Sequence, residues 1–193
     1  MDFKSSKKLN EIKINSKEIF KGEIIKLYLD KVKLPSGKIA TREKVSHPGA
    51  VSIVPVNKKG NIFVVKQFRY PIKKVLFEIP AGKLDKNEIP HDCAIRELKE
   101  EIGAVGGKLI HLISFYSSPG FCDEIMHLYL AIGFIKKENS PEEDEFLQIV
   151  ELKMEDALSY IKSGKIKDAK TIIGILLAYD YLVKNSRIYE KNK

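Results

Sequence analysis

The segment from Gly82 to Ala104, which reads GKLDKNEIPHDCAIRELKEEIGA, constrains this 193-residue chain more than any other. If His91 to Ile102 is helical, Glu97, Glu100 and Glu101 stand at i, i+3 and i+4 and share one face. Like charges at this spacing repel, so an isolated helix would not favour the arrangement. A divalent cation reverses that balance, because Mg²⁺ binds oxygen ligands. The spacing therefore indicates either a cation site or a solvated acidic face, and on spacing alone the solvated face is favoured.

The opposite face of the same segment is apolar at helical spacing, through Ala94, Ile95, Leu98 and Ile102. Such a stripe predicts a helix that packs against a sheet. Pro90 suits the first helical turn, and Gly103 suits the left-handed position just after the last. Arg96 is within reach of Glu100 one turn later, or of Glu88 in the preceding loop.

The complete pattern resembles the Nudix box, the loop–helix–loop signature of hydrolases that cleave nucleoside diphosphates linked to another moiety. The matching residues are Gly82, Glu88, Arg96, Glu97, Leu98, Glu100, Glu101 and Gly103. Ala104 departs from the pattern, because a larger aliphatic residue is usual there. The resemblance implies that Glu97, Glu100, Glu101 and the Ala81 carbonyl hold Mg²⁺, with Mn²⁺ as a substitute. It also implies that Arg96 and Glu100 belong to the catalytic residues.

The order of apolar segments predicts an α/β protein in two parts. Residues 1–46 indicate short antiparallel strands around Pro35-Ser36-Gly37, in a piece too small to hold its own core. Residues 47–193 contain several strands and three helices, the last two near Glu155–Ser163 and Asp168–Lys184. A mixed sheet between helices, an α/β/α sandwich, fits this order and is the fold that the Nudix resemblance implies.

Segments beyond the box resemble the ADP-ribose pyrophosphatase branch of the family. They are KQFRYP, LFEIPAG, the loop EEDEF, and Pro119, which stands sixteen residues after Gly103. In that branch the N-terminal strands form a swapped homodimer, which the resemblance implies here. It also implies a set of substrate contacts: Arg42, Glu43, Arg69, Pro119 and Glu124. Each could instead be a surface or loop residue, and for Arg42 and Glu43 the two interpretations are evenly balanced.

The acidic loop formed by Glu142, Glu143, Asp144 and Glu145 could be no more than a hydrophilic connection. In the resembling branch, a glutamate of this loop orients or deprotonates the attacking water. Alignment of EEDEF with the family pattern makes Glu143 the first candidate for this general base and Glu145 the second.

The function that these residues predict is Mg²⁺-dependent hydrolysis of ADP-ribose to AMP and ribose 5-phosphate. The alternative within the same chemistry is another nucleoside diphosphate sugar, such as GDP-mannose. A non-catalytic nucleotide-binding module is disfavoured, because degenerate boxes mark such proteins and this box is intact. An RNA-binding or RNA-decapping protein would need a dense basic stripe with aromatic residues, which the sequence lacks.

Composition narrows the partners and the location. The net charge of +8 comes from scattered lysines, so we expect no nucleic-acid partner. No apolar run approaches the roughly 18 residues that span a bilayer, so we expect no membrane association. The opening residues MDFKSSKKLNEIKIN lack the apolar stretch of a secretory signal. Cys93 and Cys122 do not form a disulfide framework. The predicted protein is cytoplasmic, with reduced thiols and a small-molecule substrate.

Overall fold

The computed structural model describes residues 9–139 and 146–190, with side chains as far as residue 185. It separates into two compact units. The first, here called the N-terminal unit, comprises the chain up to Pro48 together with Tyr116–Glu124. The second, the sandwich unit, comprises Gly49–Phe115 and the chain from Ile125 onward. We predicted a boundary after residue 46 and did not assign residues 116–124 to the first part.

The N-terminal unit is a three-stranded antiparallel sheet, as predicted. Its strands are β1 (Ile12–Lys21), β2 (Lys26–Lys33) and β3 (Ile39–Ser46), with β2 in the centre. Every residue of β1 is exposed, including the apolar Ile12, Ile14, Ile19 and Phe20. Because so much apolar surface is left uncovered, this sheet has almost no core of its own within the chain.

The segment 116–124 joins the N-terminal unit through backbone hydrogen bonds. The Val45 amide donates to the Phe121 carbonyl at 2.7 Å, and the Asp123 amide donates to the Val45 carbonyl at 3.1 Å. Lys44 adds an ion pair with Asp123, with a nitrogen–oxygen distance of 3.7 Å. These contacts bring together residues that are more than seventy positions apart in the sequence.

The sandwich unit contains a seven-stranded mixed sheet. Its strands are β4 (Ala50–Val56), β5 (Ile62–Arg69), β6 (Lys74–Glu78), β7 (Ala81–Lys83), β9 (Lys108–Tyr116), β10 (Ile125–Ile132) and β12 (Leu147–Leu152). The strand order is β12-β5-β4-β10-β9, with β6 beside β5 and β7 beside β4. β4 runs parallel to β10 and antiparallel to β5 and β7, so the sheet is mixed. A separate two-stranded pair joins β8 (Ala104–Val105) to β11 (Ile135–Lys136).

Three helices cover the sheet: α1 (Pro90–Ile102), α2 (Met154–Lys162) and α3 (Ala169–Glu190). All seven residues of β4 are buried, because its alternating side chains face two separate cores. Val51 and Ile53 pack with residues of α1, whereas Val54 and Val56 pack with residues of α2 and α3. The predicted α/β/α sandwich is confirmed.

The helices lie close to their predicted positions. α1 begins at Pro90, one residue before the predicted start, and ends at Ile102; the next residue, Gly103, has a φ of 69°, the left-handed conformation that glycine favours. Asp168 was predicted to begin α3 but instead accepts hydrogen bonds from the Thr171 backbone and hydroxyl at 3.0 and 2.6 Å, as an N-terminal capping side chain does. Within the described residues, no helix combines the length and apolar character needed to cross a membrane.

Candidate active site

The guanidinium of Arg96 is the hub of the acidic segment. Its Nε and Nη2 donate to the two carboxylate oxygens of Glu88, each at 3.0 Å. Its Nη1 donates to Glu97 at 2.7 Å and to Glu100 at 3.0 Å. The sequence left open whether Arg96 pairs with Glu100 or with Glu88, and the structure shows both contacts. A single planar fork thus ties the loop before α1 to the acidic face of the helix.

This pairing shifts the ionisation of Glu88. Hydrogen bonds from Arg96 hold the pKa of Glu88 at about 2, well below its ordinary 4.5. The Asp85 backbone amide adds a hydrogen bond to the same carboxylate at 3.0 Å. The pKa of Arg96 is raised in turn, chiefly by Glu88. Both groups are therefore charged near neutral pH, where the pair joins the loop to the helix.

Gly82 leaves the space that Glu97 occupies. A Cβ at residue 82 would lie 1.7 Å from Oε1 of Glu97, which is impossible without displacing the carboxylate. Glu97 is only 6% exposed, so it has little room to move aside. The glycine that opens the box is thus required by the close approach of a buried glutamate to the strand β7.

Glu101 lies one turn beyond Glu97 and is 2% exposed. Its Oε1 lies 3.5 Å from the backbone nitrogen of Ala81, the residue whose carbonyl was predicted to bind metal. Burial of an ionised carboxylate is costly unless cations or hydrogen-bond donors lie close to it. The structure places the Glu101 carboxylate next to the backbone of Ala81, and the role of the two residues as metal ligands stays a prediction.

The donors in this region suit a hard divalent cation. Glu97, Glu100, Glu101 and the Ala81 carbonyl offer only oxygen atoms, the ligands that Mg²⁺ prefers. Among the residues that the structure describes, however, no three acidic, histidine or cysteine side chains converge as a ready-made metal cluster. Arg96 Nη1 donates to both Glu97 and Glu100 in this structure. The predicted ligand set fits the metal chemically, and its role as a ligand set stays a prediction.

Arg69 lies at the end of β5 and is held by a glutamate that the sequence analysis missed. Its Nε and Nη2 donate to the two oxygens of Glu78 at 2.8 and 2.6 Å. Burial alone would raise the pKa of Glu78, which is 1% exposed, but hydrogen bonds from Arg69 and the charge of Lys170 lower it. The charge of Glu101 is among the causes that raise the pKa of Arg69. The sequence signal that could have pointed to Glu78 is its position as the single carboxylate in the otherwise apolar segment VLFEI.

Arg42 and Glu43 lie on β3 of the N-terminal unit, and both are exposed. Arg42 is engaged with Glu11, to which its Nε donates at 2.9 Å. It also donates through Nη1 to the Thr41 carbonyl at 2.9 Å. The structure shows accessible side chains at both positions, and the proposed substrate contacts of these residues stay predictions.

Pro119 and Glu124 belong to the segment 116–124 of the N-terminal unit. Pro119 is exposed, whereas Glu124 is partly buried and accepts a hydrogen bond from Ser117. His47 Nδ1 lies 3.4 Å from the Glu124 carboxylate, a neighbour that sequence reasoning did not identify. The predicted base Glu143 and its alternative Glu145 lie outside the described residues, so their assignment stays a prediction.

Both cysteines are free thiols. Cys93 is fully buried, and burial raises the pKa of its thiol to about 12. The thiol donates to the Lys83 carbonyl with a sulfur–oxygen distance of 3.4 Å. A protonated, enclosed thiol is a poor nucleophile, so Cys93 is a packing residue of α1.

Sequence comparison agrees with the box. The family model described as NUDIX domain matches residues 46–172, about two thirds of the chain. The chain belongs to the Nudix family.

Individual relatives extend the likeness over almost the whole chain. A methanol dehydrogenase activator of Bacillus methanolicus is 47% identical over 171 residues, which cover 88% of this chain and 92% of that protein. An ADP-ribose pyrophosphatase of Bacillus subtilis (strain 168) is 46% identical over 171 residues, with the same coverage of 88% and 92%. A solved ADP compounds hydrolase aligns with a TM-score of 0.82 at 18% identity, covering 93% of this chain and 98% of that one, and shows the shared fold.

The depressed pKa of Glu88 predicts a specific loss of stability in acid. Because the folded-state pKa is about 2 and the ordinary value is 4.5, the ionised group stabilises the fold fully above pH 4.5. That contribution falls as the pH drops toward 2. Glu88→Gln should therefore be less stable than the wild type at about pH 6, with a gap that narrows toward about pH 3, measured by urea unfolding.

Glu23→Gln, in the exposed turn between β1 and β2, is the control for loss of a carboxylate. It should follow the wild type at every pH. A stability gap for Glu88→Gln that is equally wide at low and neutral pH would contradict the pairing with Arg96.

Proposed function

We propose that this protein catalyses the Mg²⁺-dependent hydrolysis of ADP-ribose to AMP and ribose 5-phosphate in the cytoplasm. The observation that carries the proposal is the intact box, in which Arg96 joins Glu88, Glu97 and Glu100 and in which Gly82 makes room for Glu97. The name of the 46%-identical relative supports ADP-ribose as the substrate. The name of the methanol dehydrogenase activator describes an effect on another enzyme and leaves the reaction itself to be measured.

The metal ions would be held by Glu97, Glu100, Glu101 and the Ala81 carbonyl. When bound, Mg²⁺ supplies neutralisation of the pyrophosphate charge and activation of the attacking water. Arg96 keeps the acidic face in place, because its fork holds Glu97 and Glu100 against the loop that contains Glu88. Gly82, with no side chain, allows β7 to lie close to the Glu97 carboxylate.

The proposed substrate contacts are those that the family resemblance implies. Arg69 is 40% exposed along its side chain and uses Nε and Nη2 on Glu78, which leaves Nη1 without a role in that pair. A guanidinium with donors still available suits a phosphate oxygen. Arg42 and Glu43 would hold the adenine from the other subunit of a homodimer, and Pro119 and Glu124 would contact the remainder of the substrate.

The homodimer is proposed from the surface of β1. Exposed Ile12, Ile14, Ile19 and Phe20 give this strand an apolar surface that a second copy would cover. The outer edge of the three-stranded sheet is β1 itself, which pairs only with β2 among the described strands. Pairing with another chain would cover the apolar surface of β1 and would supply hydrogen-bond partners along its free edge.

Activity should require a divalent cation, prefer ADP-ribose to GDP-mannose, and be nearly lost in Glu101→Gln. The expected loss is about a hundredfold or more, because one metal ligand is neutralised. Products can be identified by chromatography with Mg²⁺, with Mn²⁺ and with excess chelator. The metal-free variant should unfold at no lower temperature than the wild type, because a repulsive charge has been removed.

Two outcomes of that assay would correct the proposal at different levels. Full turnover in chelator, or by Glu101→Gln, would contradict the proposal of a metal site. Faster cleavage of GDP-mannose would leave the reaction class intact and change the substrate.

Glu143→Gln should lower kcat by about 10²–10⁴ with little change in KM, because a general base acts on the water and not on bound substrate. Mg²⁺ binding, followed by calorimetry, should persist in this variant. Glu142→Gln is the matched neighbour and should be close to silent. If Glu145→Gln loses activity while Glu143→Gln keeps it, the base has been assigned to the wrong residue.

The double variant Ile12→Asp with Ile14→Asp should be monomeric in light scattering and should lose activity. Two buried carboxylates would oppose association at β1, and the active site would lack Arg42 and Glu43 of the second subunit. Ile135→Asp changes an equally exposed isoleucine, 67% accessible, on β11 and should remain dimeric. A fully active monomer would exclude a shared site.

A further inference from the structure

Glu78 is shared between two cations that come from distant parts of the chain. Arg69 approaches it from β5, and Lys170 donates from α3 to the same Oε2 that accepts from Arg69 Nη2. Glu78 is 1% exposed and the Lys170 side chain 12%, whereas the Arg69 side chain is 40% exposed. The lysine is therefore the buried member of the cluster, and the arginine is the member that faces outward.

Lys170 is itself held in place at the start of α3. Its Nζ lies 3.0 Å from Oδ2 of Asp168, the side chain that caps this helix. The Thr171 hydroxyl donates to Asp168 at 2.6 Å and accepts from the Ile79 amide at 2.9 Å. The N-terminal end of α3 is thus fastened to Ile79, the residue that follows β6, two positions before Ala81.

We propose that Lys170 is a positioning residue for Arg69: by sharing Glu78, it leaves the guanidinium with positive charge for a phosphate group of the substrate. A pair of Arg69 and Glu78 alone would be neutral, and the full charge of the buried carboxylate would draw the guanidinium inward. With Lys170 present, the three side chains carry a net charge of +1 close to the surface. Asp168, whose Oδ2 lies 3.0 Å from Lys170 Nζ, brings the sum for all four side chains to zero, whereas without Lys170 the other three would carry a net charge of −1.

This inference rests on the proposed function, in which Arg69 contacts the pyrophosphate. The competing explanation is that Lys170 only fastens α3 to β6. A fastening residue would change the free energy of unfolding and would leave Arg69 as it is. A positioning residue would change Arg69 even in the folded protein without substrate.

The first measurement is made without ligand. In nuclear magnetic resonance spectra, the Nε–H signal of Arg69, assigned by its loss in Arg69→Met, should move downfield in Lys170→Met. The reason is that Glu78 then bonds to Arg69 alone, which strengthens that hydrogen bond. Lys184→Met makes the same substitution at an exposed ion pair of α3 and should leave the signal in place. An unchanged signal in folded Lys170→Met would overturn the proposal.

The second measurement is the affinity for ADP-ribose, by calorimetry in chelator so that no turnover occurs. Lys170→Met should raise Kd by about tenfold, the scale of coupling between contacting charged residues. Added to Arg69→Met, the same substitution should raise Kd no further, because Lys170 acts through Arg69. Equal effects in both backgrounds would show that the lysine acts independently, and would overturn the proposal.

Lys170→Gln covers the case in which the methionine variant fails to fold, because glutamine can still donate to Glu78 without a charge. It should show a smaller shift in the same direction and weaker binding, because the neutral amide offsets less of the Glu78 charge, and wild-type behaviour would overturn the proposal. If the wild-type protein binds no ADP-ribose, the proposed function fails. The signal of Arg69 without ligand then still decides whether Lys170 controls the guanidinium.

Discussion

The fork of Arg96 is the interaction on which the candidate site depends. It gathers Glu88, Glu97 and Glu100, whose mutual repulsion would otherwise push the loop away from α1 and disfavour the helix. Removing Arg96 would leave three carboxylates close together without a compensating cation, and Glu97, the most buried of them, would lose the most. The arginine thus makes the acidic face compatible with a folded chain, and the same contacts hold two proposed ligands ready for a cation.

The cluster around Glu78 also compensates carboxylate charge, but with residues that are farther apart in the sequence. In the box, the guanidinium of Arg96 binds several carboxylates within one loop and helix. At Glu78, one carboxylate binds two cations, Arg69 and Lys170, and the lysine is 92 positions away in the sequence. Both clusters lie next to the backbone that leads into the box, since Glu97 of the Arg96 cluster closely approaches Gly82, and the Thr171 hydroxyl beside Lys170 accepts a hydrogen bond from the Ile79 amide. The backbone that leads into the box is therefore anchored on both sides of the sheet, by α1 and by α3.

Local patterns in the sequence were enough for most of the fold. The pattern around Pro35-Ser36-Gly37 indicated the antiparallel strands of residues 1–46, and Pro90 and Gly103 marked α1 to within one residue. The contacts of Arg96 were also anticipated, because helical spacing and a short loop limit what its side chain can reach. These features depend on residues that are near one another along the chain.

Features made by distant residues were missed or left undecided. Nothing in the sequence near Val45 indicates that it pairs with residues 121 and 123. Likewise, nothing in the sequence around Lys170 indicates that its side chain meets Glu78 in β6. Periodicity reports which face of an element is buried, but not which charges from different elements meet there. Long-range polar contacts need the three-dimensional structure.

The residues proposed for catalysis and those proposed for substrate selectivity differ in the same way: the first are close together in the sequence and the second are far apart. The proposed chemical groups are concentrated in one contiguous segment, so a motif read from the sequence is enough to predict pyrophosphate hydrolysis. The proposed contacts to the base and phosphates are dispersed over β3, β5 and residues 119 and 124, and each is an ordinary residue type on its own. Selectivity for one nucleoside diphosphate sugar therefore depends on how separate elements combine, and substitutions outside the box can change the substrate while the reaction stays the same.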